Sequence, residues 1–271
     1  MTFAQLRPLS LGELLDGAFT LYRRYFSTLV LIALVPALPV IALWLIMAIV
    51  AMGAGETAAA FATLGGAMIA FPFSIVATVL SWGAITHFIA RAYTGSPVTS
   101  GDALRKVRER LWPLLGAGIL AQLMIVMGTA FCFVPGLFAA AACFAVIPSV
   151  MLERRGVGDA FSRSFDLVKT GWGDIMLALL VAYVIASLPA IIVGVGGYVA
   201  QIATADDPTR SLLARAGSQI VGQLVQALTT PFAVVTTVLL YYDRRVRTEA
   251  LDVQMFAETL GTPGPEQPAG W

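Results

Sequence analysis

Gln219, Gln223, Gln226 and Thr230 recur at i, i+4, i+7 and i+11 in an otherwise apolar stretch, so a helix there carries all of them on one face. Their chemistry is hydrogen bonding without charge. An amide in hydrocarbon needs a partner, and this face is therefore expected to point into a helical bundle. There it either lines a path for a polar substrate or bonds to neighbouring helices, at roughly 0.6–2 kcal/mol per bond. Gln122 and Gln201 are the candidate partners for the second role. Tyr241-Tyr242-Asp243-Arg244-Arg245-Val246-Arg247 closes the same stretch. Tyr241 and Tyr242 suit an interfacial aromatic belt, and Arg244, Arg245 and Arg247 suit anionic headgroups. Asp243 among them reads as an internal partner that holds the cluster's geometry. As an anchor the cluster requires only a membrane surface; as a site it would bind one lipid headgroup.

Groups for catalysis are few. His87 is the only histidine. It allows no histidine-based metal cluster and belongs to no evident Ser/His/Asp set. It reads as an interfacial or hydrogen-bonded residue, with a proton relay as the sharper alternative. Cys132 and Cys143 are too few for a disulfide framework and lack metal-ligand spacing, so they read as buried free thiols. No metal or other cofactor is implied, and with no credible nucleophile and base the chain reads as a non-enzyme. Asp206-Asp207 is either a solvated loop or a cation site. Pro36, Pro39, Pro72, Pro135, Pro148, Pro189 and Pro231 fall in or at the ends of apolar stretches. Each interior one removes a helical hydrogen bond and bends its helix. The freed carbonyls are satisfied locally or, in transporters, coordinate ions.

Composition says what scaffold must position these residues. Hydrophobic residues make up 58% of the 271 and charged residues 12%, against about 25% charged in soluble domains. A bilayer is the natural solvent for such a chain. Crossing ~30 Å of hydrocarbon takes about 20 apolar residues as a helix. Six stretches qualify: Thr28–Met52, Leu64–Ile89, Leu114–Phe133, Gly136–Leu152, Ile175–Ala203 and Ser218–Tyr242. Val134-Pro135-Gly136 reads as a tight hairpin, because one helix from Leu114 to Leu152 would be about twice the bilayer thickness.

Charge then sets the orientation. Arg7, Arg23 and Arg24 precede the first stretch, and Arg91, Arg105, Lys106, Arg108 and Arg110 lie between the second and third. Arg154, Arg155, Arg163 and Lys169 lie between the fourth and fifth, and Arg244, Arg245 and Arg247 follow the sixth. Only Arg210 and Arg215, with Glu56, Asp206 and Asp207, fall on the other side. Lys and Arg in short loops stay cytoplasmic. Both termini are thus expected in the cytoplasm, in a bacterial inner membrane. Glu13, Asp16, Arg23 and Arg24 interrupt any signal-peptide core, so Thr28–Met52 is expected to act as an uncleaved signal anchor. A net charge of +1 and the lack of a basic stripe with interleaved aromatics exclude nucleic acid as an expected partner.

Two internal echoes suggest repeats. Pro72-Phe73-Ser74-Ile75-Val76-Ala77-Thr78-Val79-Leu80 recurs as Pro231-Phe232-Ala233-Val234-Val235-Thr236-Thr237-Val238-Leu239. Asp16-Gly17-Ala18-Phe19, Gly101-Asp102-Ala103-Leu104 and Gly158-Asp159-Ala160-Phe161 each open a short segment of basic and bulky apolar residues. In the first, Leu11, Leu14, Leu15, Ala18, Phe19, Tyr22 and Phe26 share a helical face, with Ser10 and Glu13 as a capping box. That helix should lie in the membrane interface, apolar side down. The expected fold is all-α and membrane-integral: six transmembrane helices as three parallel repeats, each an interfacial amphipathic helix plus a transmembrane hairpin. The interfacial helices are placed near 10–26, 100–111 and 158–170 within a 1–255 transmembrane domain, and 256–271 is expected to be a disordered tail.

The opening Leu9-Ser10-Leu11-Gly12-Glu13-Leu14-Leu15-Asp16-Gly17-Ala18-Phe19, with Tyr22-Arg23-Arg24, resembles the start of a group of uncharacterised bacterial polytopic membrane proteins. The closing Leu240-Tyr241-Tyr242-Asp243-Arg244-Arg245-Val246-Arg247 is similar to that group's end. These proteins in turn resemble the membrane domain attached to some glycerophosphoryl diester phosphodiesterases. The likeness covers roughly residues 8 to 255, mainly as hydropathy in the middle. It does not carry the phosphodiesterase activity, whose soluble barrel needs two histidines and metal-binding carboxylates. What it implies is a membrane module serving lipids or partner proteins. The expected function is a non-enzymatic membrane module that assembles with partner membrane proteins, or with itself, or organises lipid. Small-residue runs such as Ala139–Ala142 would allow close helix packing. The alternative is a transporter or channel for a lipid or small amphiphile that uses the glutamine face.

Overall fold

The computed structural model describes residues 9–53 and 56–249. The expected disordered tail, 256–271, and Arg7 lie outside the described residues. Ten helices follow one another, with no strand among the described residues. They are α1 (Leu11–Arg24), α2 (Phe26–Gly53), α3 (Glu56–Tyr93), α4 (Ser100–Glu109), α5 (Leu111–Phe131), α6 (Phe133–Cys143), α7 (Val146–Leu152), α8 (Val157–Val168), α9 (Trp172–Ala203) and α10 (Pro208–Glu249). Six segments are long and apolar enough to cross a membrane: Phe26–Val50, Gly65–Tyr93, Leu111–Phe131, Phe133–Leu152, Trp172–Ala203 and Thr209–Glu249. They match the six expected stretches. A short helix precedes each pair: α1, α4 and α8.

Helix starts follow local chemistry. At α1 the Glu13 N–H donates to Ser10 Oγ at 3.3 Å, and the Ser10 N–H donates to Glu13 Oε2 at 2.9 Å, closing the expected capping box. Thr99 and Asp102 form the same box at α4. Asp207 caps α10, accepting from the N–H groups of Thr209 and Arg210 at 2.9 and 3.1 Å. Asp207 is therefore a helix cap, while Asp206 stands exposed in the turn before it.

The long helices have a readable register. Tyr25 packs edge-on against Phe88, Ser81 Oγ donates to the Ala33 carbonyl at 3.2 Å, and a Cβ on Gly66 would stand 3.3 Å from Met47. Thus α2 and α3 run antiparallel over their whole shared length. At the opposite face of α10, Gly197 lets α9 approach so closely that a Cβ would meet Ser218 at 2.5 Å, and Gly171 lies against the Arg244 guanidinium. Tyr93, at the end of α3, stacks on Tyr242 near the end of α10. Between membrane helices such close van der Waals contact is the main source of cohesion, since lipid tails are as apolar as leucine.

Exposed large apolar side chains run from Phe26 to Met52 on α2 and from Leu177 to Ile202 on α9. At 1.5 Å per residue these bands span about 39 and 38 Å, between the ~30 Å hydrocarbon core and the ~40–45 Å of a whole bilayer. The register puts the middle of the α9 band, near residue 190, beside residue 225 of α10.

Four expectations about these elements are corrected. The third and fourth spans turn at the extended Cys132, not at Val134-Pro135-Gly136. Pro135 sits in the first turn of α6, where its missing N–H costs nothing, and a Cβ on Gly128 would lie 3.0 Å from Gly136 Cα, so the glycine pair permits the tight hairpin. That turn leaves Cys132 exposed, whereas Cys143 is buried as expected. The fourth span is not one helix. It breaks between Cys143 and Val146, and the fully buried Ser164 of α8 repairs the break. Its hydroxyl donates to the Ala142 carbonyl at 2.6 Å and accepts from the Ala145 N–H at 3.1 Å. Finally, α1 does not lie flat with its apolar face on lipid. Leu9 meets Asp243 and Arg247, Gly17 faces Leu239, and the Tyr22 hydroxyl donates to the Leu228 carbonyl at 2.8 Å. It therefore packs lengthwise against α10, burying Leu14, Ala18 and Leu21 on protein.

The nine-residue echo occupies unequal surroundings. Residues 231–239 of α10 are all buried, whereas Pro72 and Phe73 of α3 are exposed.

Candidate functional site

A shallow cleft, open on one side, lies between α2, α3 and α10. Its walls are Ala33 and Ala37 of α2, Ala77, Thr78 and Ser81 of α3, and Gln223, Gln226, Ala227 and Thr230 of α10. Alanine at these positions leaves the space that larger side chains would fill. By the register above, the cleft lies near the middle of the exposed apolar band.

Three members of the expected polar face are thus brought together; Gln219 is exposed and lies off the cleft. Thr78 and Ser81 spend their hydroxyls on backbone carbonyls, Thr78 on Ser74 at 2.9 Å and Ser81 on Ala77 at 2.8 Å. Gln223, Gln226 and Thr230 make no side-chain hydrogen bond among the described residues. The expected glue between helices is therefore not formed. Gln122 likewise has no partner among the described residues, and Gln201 bonds back to Gly197 of its own helix at 3.3 Å. One further acceptor stands in the cleft wall. Pro231 has no N–H to give the Ala227 carbonyl one turn earlier.

The second constellation sits at the end of the bundle that gathers the basic residues. Arg110 of the α4–α5 junction donates to the Arg154 carbonyl at 3.0 Å, and Arg247 donates to the Leu9 carbonyl at 2.8 Å. The α4–α5 and α7–α8 junctions therefore meet each other there, and the end of α10 meets the N-terminal segment. Arg154 adopts a left-handed φ of 57° just past α7, and the Arg155 N–H turns back to the Ser149 carbonyl at 3.3 Å. That turn sets Glu153 at the mouth of α7, where it accepts from Arg155 Nε at 2.6 Å, from Arg163 Nη2 at 3.0 Å and from the Tyr241 hydroxyl. Arg163 also pairs with Glu249, and Arg245 donates to Glu249 at 2.9 Å. Burial pushes the Glu153 carboxyl up, but hydrogen bonds from Tyr241, Arg155 and Arg163 outweigh it and hold it below the usual carboxylate range.

The expected lipid-facing placement of this cluster is corrected in part. Tyr241 is wholly buried, and Tyr242 stacks on Tyr93 at 5.5 Å between ring centres. Arg244 is buried against Gly171 and donates to Asp174 Oδ2 at 3.1 Å. Asp243, also buried, accepts from the Leu9 N–H at 2.7 Å and from Arg247 Nε at 2.8 Å, which ties α1 to α10. These side chains knit the helix ends into a polar cap. Sequence reading missed Glu153, Arg163, Asp174 and Glu249 as its members, because their partners lie far away along the chain. His87 sits half-buried on α3 near this end.

No group of three or more His, Cys, Asp or Glu side chains could hold a metal ion among the described residues. No protein-family model matches the sequence, and no curated protein or solved structure is significantly similar to it.

Proposed function

We propose that this chain is a non-enzymatic, multi-pass membrane module that takes a lipid into the cleft between α2, α3 and α10. The observation that carries this reading is the pair of Gln223 and Gln226 amides, without a hydrogen-bond partner among the described residues and lining an open cleft near mid-band. A polar group without a partner in an apolar medium costs several kcal/mol on hydrocarbon scales, roughly 1–3 kcal/mol by protein mutation. An amphiphile with its own donors and acceptors removes that cost. The likeness of the end motifs to a membrane domain of lipid-related enzymes supports the same direction.

The same proposal places the cap and both termini on the cytoplasmic side of a bacterial inner membrane, supported by the positive charge gathered there. It also treats the three short-helix-plus-hairpin units as parallel repeats, supported by the order of α1, α4 and α8 before their paired spans. The α5–α6 hairpin, with Phe131, Phe133 and Val134 exposed, offers the surface for assembly with itself or another membrane protein. Movement of the bound lipid is the second reading. It is favoured by Pro36 and Pro231, which interrupt the hydrogen bonding of two cleft-forming helices.

Native mass spectrometry of the protein in mild detergent tests the proposal. Wild type should retain a stoichiometric lipid, and a Gln223→Leu, Gln226→Leu variant that elutes as wild type should lose it. Equal lipid retention by both would remove the cleft from the account.

A further inference from the structure

The lining of the cleft restricts what it can hold. Resting on the reading that the cleft takes lipid, we infer that its ligand is an uncharged lipid with a free hydroxyl beside ester carbonyls, of the diacylglycerol class. None of the nine lining residues carries a charge. Along α10 the nearest charged side chains to Gln223–Thr230 are Arg215 and Asp243, about 12 and 20 Å away along the axis. Along α2 the nearest is Arg24, nine residues before Ala33, about 14 Å away. On α1, Arg23 follows the Tyr22 that bonds to Leu228, but Arg23 is exposed and lies over the Phe19 ring. A phosphate against the lining would have no counter-charge within the cleft itself.

A pure hydrocarbon fits no better, because it leaves the Gln223 and Gln226 amides and the Thr230 hydroxyl unpaired. Each amide offers both donors and an acceptor, and the hydroxyl offers one of each. Pro231 has no N–H to offer the Ala227 carbonyl, which accepts only. The matching ligand group therefore donates and accepts within a few ångströms. A glycerol hydroxyl flanked by ester carbonyls does so without charge. The cleft is open on one side, so a glycerol head set against its lining leaves the acyl chains among the bilayer tails.

The full chain in phosphatidylcholine nanodiscs, carrying a photoactivatable diacylglycerol or a photoactivatable phosphatidic acid with the same acyl chains, tests this. Peptides of α2, α3 and α10 that line the cleft should be labelled at least about tenfold more by diacylglycerol. The Gln223→Leu, Gln226→Leu variant should lose that labelling, and Gln219→Leu, off the cleft on the same helix, should keep it. If the double variant does not fold, Thr230→Val serves in its place, with labelling reduced several-fold. Equal labelling by the two lipids, or preference for phosphatidic acid, overturns the headgroup inference and leaves lipid binding standing. Absence of cleft labelling by either lipid overturns both.

Discussion

Glu153→Gln isolates the polar cap from the rest of the fold. The substitution keeps the shape and can still accept from Tyr241, but removes the charge that Arg155, Arg163 and Arg245 share. A charge-assisted bond contributes roughly 1.5–3 kcal/mol and a neutral one about 0.5–1.5, so each surviving bond weakens by about 1 kcal/mol. Arg155 is 39% exposed and counts for little, whereas Arg163 is 15% exposed. The two Arg163 contacts and the Tyr241 bond then set a loss of about 2–3 kcal/mol at neutral pH. The sign with pH follows from the depressed carboxyl. Its contribution is fully present above the ordinary glutamate pKa of about 4.3 and disappears as pH falls through the lower folded value. Thermal unfolding of the detergent-solubilised protein should show the variant less stable at neutral pH, with the gap closing below about pH 4 as wild type loses the same charge. Equal stability at neutral pH, or a gap unchanged down to about pH 3, would refute the assignment of Glu153 as the centre of the cap.

Other perturbations test other links. Ser164→Ala strands the Ala145 N–H and the Ala142 carbonyl, costing about 1–3 kcal/mol; hydrogen exchange at residues 142–146 should quicken while α9 keeps its protection. Gly118→Ala drives a Cβ to 2.5 Å from the stiff Val79 side chain and should cost about 1–3 kcal/mol in unfolding. Gly194→Ala meets nothing within 4 Å and should be neutral or add up to about 1 kcal/mol. In a background with Cys132→Ser and Cys143→Ser, which removes the exposed native thiol, a thiol-reactive probe that cannot cross the membrane should label Asp207→Cys but not Lys106→Cys when applied outside intact cells; the opposite pattern would reverse the proposed orientation.

Span count was legible because it depends on length and hydropathy, which a single stretch such as 28–52 carries by itself. The Ser10–Glu13 box was legible for the same local reason. Thr99 and Asp102 carried an equivalent signal that sequence reading passed over. What was not legible is long-range. Nothing near Ala142–Ala145 announces a helix break, since the residue that makes it tolerable, Ser164, lies 19 and 22 residues away. Tyr241 beside arginines looks the same whether it faces headgroups or a buried glutamate 88 residues distant. The amphipathic face of α1 announced that it must be covered, but lipid and α10 satisfy that requirement equally well. The glutamine periodicity identified the right face of α10. It could not say that Gln219 stands off the cleft, or that alanines on α2 and α3 create the space opposite.

The proposed function stands or falls on lipid occupying the cleft between α2, α3 and α10. Photo-crosslinking in native membranes, with p-benzoylphenylalanine in place of Thr78 and a control at Gly194, tests it most directly. Thr78 lines the cleft, whereas a Cβ at Gly194 meets no neighbouring helix within 4 Å. A lipid adduct dominated by one lipid class is expected at Thr78, against the bulk membrane mixture at Gly194. The bulk mixture at both positions, or only protein adducts at Thr78, would contradict it.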